Sequence, residues 1–139
     1  MTAAEAPPTP LSELPTVLIV DDNEIMRSLL RAILRSEPYE VVGEARDGAS
    51  ALEAVERLTP DIMLLDVVMP EIDGIEVLRT TRRDYPDTAV VMVTGNASAE
   101  NVQEALKAGA AGFVVKPFNA AKVVDALTRV RRTLPRFAR

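Results

Sequence analysis

Short apolar runs and stretches of helical period alternate five times along this chain, and few folds accept such a pattern. Val17-Leu18-Ile19-Val20 is continuous and rich in β-branched residues, as expected of a strand covered on both faces. Helical spacing follows. Ile25, Leu29 and Ile33 form one row, with Met26, Leu30 and Leu34 beside it, until Pro38 stops the pattern. A weaker strand runs from Val41 to Ala45, and Asp47-Gly48 marks a turn. Leu52, Val55 and Leu58 trace a second helix, and Ile62-Met63-Leu64-Leu65 a third strand. The third helix spans about Ile75 to Arg83, with Ile75 and Leu78 facing inward. Ala89-Val90-Val91-Met92-Val93 is the fourth strand; its helix carries Val102, Ala105 and Leu106 and ends at Gly109. Gly112 to Val115 form the fifth strand. The last helix, capped by Asn119, buries Val123, Leu127, Val130 and Leu134. Strand–helix units at intervals near the ~30 residues of a βαβ unit predict an α/β fold, a parallel sheet with helices on both faces.

A length of 139 residues allows one domain. Residues 1–15 are rich in Ala, Pro, Thr and Glu and lack periodicity, so they read as a flexible tail. The net charge of −5 argues against a general nucleic-acid binder, whose phosphate contacts need a basic face. No apolar run approaches the ~20 residues of a membrane span. The first residues carry neither the basic nor the apolar region of a secretory signal. Cys and His are both absent, which excludes disulfides, thiolate nucleophiles, imidazole bases and Cys- or His-ligated metals. Any chemistry must use carboxylates, Lys, Ser, Thr, Tyr or a hard metal ion.

In open parallel sheets, ligands sit beyond the carboxyl ends of the strands. Asp21 and Asp22 follow the first strand, Asp66 the third, Thr94 the fourth and Lys116 the fifth. The fold therefore gathers three carboxylates, a hydroxyl and an ammonium at one edge. Clustered carboxylates repel unless a cation is near, and an all-oxygen set suits Mg²⁺. A carboxylate can also act as a nucleophile and form an aspartyl phosphate, with Lys116 as the phosphate's charge partner. Each residue alone has a plainer reading. Asp21-Asp22 can cap the following helix, Thr94 can open one, and Asp66 and Lys116 can be ordinary strand-end residues. Their joint placement at four strand ends is what the plain readings leave unexplained.

These residues resemble the receiver domain of bacterial two-component response regulators. The stretch Asp66-Val67-Val68-Met69-Pro70-Glu71-Ile72-Asp73-Gly74 is similar to that family's phosphoacceptor loop. Asp21-Asp22 resembles its acidic pair, and Gly112-Phe113-Val114-Val115-Lys116-Pro117-Phe118 its lysine strand. The resemblance covers roughly Thr16 to Leu134. It implies a flavodoxin-like (βα)5 fold with strand order 2-1-3-4-5, a receiver over residues 16–134 and a short tail over 135–139. It implies that Asp66 accepts a phosphoryl group from a histidine kinase or histidine phosphotransfer protein. It further implies that Mg²⁺ is held by Asp22, Asp66 and the backbone carbonyl of Val68, with Asp21 acting through water. Lys116 would bind the phosphoryl group, Thr94 would be the switch hydroxyl and Phe113 the aromatic that turns inward. The Lys116–Pro117 peptide is expected to be cis. Val68 is apolar where the chemotaxis regulators carry an amide, a difference that bears on the lifetime of the acyl phosphate, as does Asn96.

The resemblance implies a cytoplasmic, stand-alone, chemotaxis-regulator-like protein that signals by protein contact, as a monomer or a phosphorylation-dependent dimer. The face of the fourth helix, fifth strand and fifth helix would meet the target. The cluster Arg129, Arg131, Arg132, Arg136 and Arg139 either contacts a partner or complements a helix dipole. The alternatives are a receiver cut from a longer DNA-binding regulator and a Mg²⁺-dependent phosphohydrolase with Asp66 as nucleophile. A flavin-binding domain and a phosphorylation-independent pseudo-receiver fit less. No Ser/Thr/Gly-rich loop follows Val20, and Asp22, Asp66 and Lys116 are all present.

Overall fold

The computed structural model describes residues 13–137; the first twelve residues, including Leu11 and Ser12, and Arg139 of the arginine cluster lie outside them. Five parallel strands, β1 (Thr16–Val20), β2 (Glu40–Ala45), β3 (Ile62–Leu65), β4 (Ala89–Thr94) and β5 (Gly112–Val115), form one sheet in the order β2-β1-β3-β4-β5. Five helices alternate with them: α1 (Glu24–Arg35), α2 (Gly48–Leu58), α3 (Gly74–Asp84), α4 (Ala99–Lys107) and α5 (Ala120–Arg131). The parallel sheet with helices on both faces is what the pattern of the sequence predicts, and the flavodoxin-like strand order is the one the resemblance implies.

Alternation along the strands splits the core in two. Val17, Ile19, Ile62, Leu64, Val91 and Val93 face α1 and α5, packing on Leu30, Leu34, Val123, Leu127 and Val130. Leu18, Val20, Met63, Leu65, Val90 and Met92 face the opposite way, onto Ala51, Val55, Val77, Leu78 and Ala105 of α2, α3 and α4. The central strands are covered on both sides, which is why they read as unbroken apolar runs. β2 is an edge strand and only half-buried, hence its weaker signal.

Each helix begins at a short polar side chain that accepts a bond from the backbone N–H three residues on. The caps are Asn23, Asp47, Asp73, Ser98 and Asn119. Such caps contribute about 1 kcal/mol each. Asp47-Gly48 is thus the start of α2 as well as a turn.

Of the two apolar rows on α1, Ile25 is 79% exposed and Leu29 44%, with Ile33 partly buried against the core, while Leu30 and Leu34 are buried. One expectation is corrected. Leu134 is buried, but beyond α5: the helix ends at Arg131, and the N–H groups of Thr133 and Leu134 bond back to Val130 and Arg131 in a tighter turn. Two residues past Leu134 pack back on the fold. Phe137 lies against the α1/α5 core, and Arg136 donates to Asp61 at 2.9 and 3.1 Å and to the Leu14 carbonyl at 3.0 Å.

Candidate functional site

The sheet order reverses between β1 and β3, so their carboxyl ends border the crevice where such folds bind ligands. Asp21 follows β1 and is 1% exposed; Asp66 follows β3 and is 6% exposed. Asp22 is exposed beside them. One carboxylate oxygen from each of Asp21, Asp22 and Asp66 lies within 4.8 Å of the others.

The cap reading of Asp21-Asp22 fails here. Asn23 caps α1, its side-chain oxygen accepting from the Met26 N–H at 2.9 Å. Asp21 instead steadies the turn: its Oδ1 accepts from the Asn23 N–H at 2.8 Å, and its carbonyl accepts from Arg27 at 2.7 Å. Asp21 Oδ2 is left to face the crevice, where it meets Lys116.

Lys116, just beyond β5, donates from Nζ to Asp21 Oδ2 at 2.7 Å and to Asp66 Oδ2 at 3.2 Å. Burial alone would push its ammonium pKa down. The hydrogen bond to Asp21 and the charge of Asp66 outweigh that and hold it above the ordinary lysine value. One ammonium thus offsets two buried carboxylates, and a third stands at the rim. The excess negative charge and the all-oxygen donors suit a hard cation, so Asp21, Asp22 and Asp66 could hold a metal ion.

The loop after Asp66 is fixed by backbone crowding. A Cβ at position 74 would lie 2.1 Å from the Asp66 carbonyl oxygen and 2.7 Å from the Val67 Cα, so only glycine fits. The Gly74 N–H bonds to the Val67 carbonyl at 2.8 Å, and the Val68 N–H reaches Asp66 Oδ1 at 3.3 Å. Glu71, with φ of 69°, turns the chain through the left-handed region, a strained conformation for a residue with a side chain. Val68 is 55% exposed at the mouth. In the sequence, the glycine of the Asp73-Gly74 pair is the signal of these close approaches.

Thr94 ends β4 and is buried; its Oγ1 accepts from the Asn96 N–H at 3.1 Å. Phe113, on β5, is half-buried against the α2/α3/α4 core. The Lys116–Pro117 peptide is cis. Of the arginine cluster, Arg131 lies over the rings of Tyr39 and Phe137 and Arg136 over Phe137, so both are engaged within the fold. No helix among the described residues is long and apolar enough to cross a membrane.

Comparisons with known proteins agree with this arrangement. A family profile described as the response regulator receiver domain matches residues 17–128. The chain is 40% identical over 116 residues to chemotaxis protein CheY of Thermotoga maritima, across 84% of this chain and 97% of that protein. It is similar to the structure of a CheX-CheY-BeF3-Mg²⁺ complex from Borrelia burgdorferi, with a TM-score of 0.80 and 32% identity over 83% of this chain and 87% of that one. It is also similar to the signal receiver domain of the putative response regulator NarL from Mycobacterium tuberculosis, with a TM-score of 0.77 and 37% identity over 84% and 94% of the two chains. With the profile spanning all five strands and the acidic crevice, the chain belongs to the response regulator receiver family.

Proposed function

We propose that this protein is a CheY-like signalling receiver that takes a phosphoryl group onto Asp66 and relays it by a change at its protein-binding face. The observation that carries this reading is the buried Asp66 carboxylate, 3.2 Å from the Lys116 ammonium within a cluster of three carboxylates. As the family implies, the phosphoryl donor is a phosphohistidine on a kinase or phosphotransfer protein, since the chain has no His of its own to carry the group. An Asp66 oxygen attacks phosphorus; the P–N bond breaks, and the departing imidazole keeps the electron pair and takes a proton. The product is an acyl phosphate on a signalling module, not the turnover of an enzyme on free substrate.

Asp22, Asp66 and the Val68 carbonyl would hold Mg²⁺, with Asp21 acting through water. The ion's chemistry there is neutralisation of charge on the transferring phosphoryl oxygens. Lys116 supplies a second positive charge for those oxygens, moving from the carboxylates it now bridges. The modified Asp66 carries about −1.5 to −2 charge where the free carboxylate carried one negative charge, and it brings new acceptor oxygens. Those draw the Thr94 hydroxyl, and Phe113 fills the space it leaves. The α4–β5–α5 face then presents a different surface to a protein target. The 97% cover of a CheY supports action through protein contact, and the setting of such a partner is the cytoplasm.

Incubation with acetyl phosphate and Mg²⁺, followed by intact mass, tests this. The expected result is a labile gain of one phosphoryl group that needs Mg²⁺ and is absent in Asp66→Asn. A gain that persists in Asp66→Asn, or none under any condition, would reject Asp66 as the acceptor. Asp22→Asn should also lose the stabilisation that Mg²⁺ gives the wild type on heating.

A further inference from the structure

α4 is the least embedded of the five helices: its one buried residue is Ala105, whereas α2 buries four residues and α3 five. Two polar links hold it. The first begins at Thr94, whose Oγ1 accepts from the Asn96 N–H at 3.1 Å. The Asn96 carbonyl in turn accepts from the Asn101 side-chain amide, in the first turn of α4, at 3.0 Å. The Thr94 hydroxyl and α4 are therefore two hydrogen bonds apart. The second link lies three residues further along, where Glu104 pairs with Arg79 of α3 at 3.0 Å. The ion pair lies at a cleft of about 320 Å³ between the helices, lined also by Val68, Asp73, Asn96 and Asn101 and opening beside the acceptor loop.

The geometry points to Arg79 and Glu104 as positioning residues that latch α4 to α3 in the unmodified protein. The inference rests on Asp66 being the phosphoacceptor. When the Thr94 hydroxyl turns toward phosphoryl oxygens it abandons the Asn96 N–H, and the first link fails. Among the described residues, the side-chain contacts then left within α4 are the Arg79–Glu104 pair and the buried Ala105. The pair's strength sets how far α4 is already displaced before modification. Its side chains are 57% and 47% exposed, which places it among weak surface pairs, about two- to fivefold in an equilibrium constant. That is enough to bias a helix with so little buried surface. It is also little enough for a phosphoryl group to overcome.

Hydrogen exchange read by mass spectrometry tests the latch, first on unmodified protein. In Arg79→Ala and in Glu104→Gln the amides from Val102 to Ala108 should exchange about two- to fivefold faster, with those of β3 and α5 unchanged. The double variant Arg79→Glu with Glu104→Arg should restore the slower rate, which loss of bulk packing would not allow. Acetyl phosphate should then speed α4 exchange less in Arg79→Ala than in the wild type, because that variant starts partly released. Unaltered α4 exchange in the single variants overturns the latch, as does equal acceleration in variant and wild type after modification. Intact mass keeps the two readings apart. Absence of a phosphoryl gain rejects Asp66 as acceptor, while exchange in the unmodified variants still decides whether the pair holds α4.

Discussion

Two carboxylates as buried as Asp21 and Asp66 are tolerable only with a partner, and Lys116 is that partner for both. Its loss leaves both carboxylates in low dielectric without their shared counter-charge. In metal-free buffer, Lys116→Met should therefore cost about 1.5–3 kcal/mol, the range for hydrogen bonds to charged groups. The pH dependence has a fixed sign. The folded-state pKa of Lys116 is raised, so its contribution is fully present below the unfolded-chain value near ~10.4 and declines as pH climbs through the folded value. The gap in urea midpoint between wild type and Lys116→Met should stay flat from pH 7 to pH 9; a gap that closes by pH 9 would mean Lys116 is not the ion partner. These residues were legible in the sequence because each follows the point where an apolar run stops. That Asn23, and not Asp21, caps α1 was not legible, since both side chains cap helices well and only the chain's turn chooses between them.

At the scale of elements, the strands were clearer than the helix faces. A buried parallel strand has one reading, but α1 carries two adjacent apolar rows, and spacing alone does not say which faces the sheet. The fold decides through its neighbours: Leu30 and Leu34 meet β-strand residues and α5, whereas Ile25 and Leu29 look outward. Leu30→Ala should cost about 2–5 kcal/mol, the range for a buried leucine deletion. Ile25→Ala should change stability by less than about 0.5 kcal/mol. Urea unfolding of the two variants side by side checks this, and the reverse order would mean that α1 is rotated about its axis. The same ambiguity hid the end of α5. Leu134 keeps the helical spacing and is buried, yet it reaches the core from a turn beyond the helix. The ion pair that ties α4 to α3 had no signal at all, because the pairing of Arg79 with Glu104 across 25 positions depends on how two helices pack.

Across the whole molecule, chemistry and anchoring sit at opposite ends of the sheet. The acidic cluster follows the carboxyl ends of β1 and β3, while Asp61 joins the other ends. Its carboxylate accepts from the Thr16 N–H at 2.8 Å and the Thr16 hydroxyl at 3.1 Å, and takes both Arg136 contacts. Arg136 also holds the Leu14 carbonyl, so one side chain ties the start of β1, the approach to β3 and the chain beyond α5 together. One strand separates the two regions, β1 between Thr16 and Asp21 and β3 between Asp61 and Asp66, about 17 Å at the rise of a strand. Mutational effects that far apart, with no shared partner, are expected to add without coupling. Arg136→Ala strips a largely buried carboxylate of its counter-charge and should lower stability by about 1–3 kcal/mol. At temperatures where the variant remains folded, its uptake of a phosphoryl group from acetyl phosphate should match the wild type, and its amide exchange should rise around Thr16 and Asp61 but not in the loop from Asp66 to Gly74. A slower uptake in fully folded Arg136→Ala would show that the base of the sheet communicates with the acidic crevice, and the two ends would then have to be treated as one coupled unit.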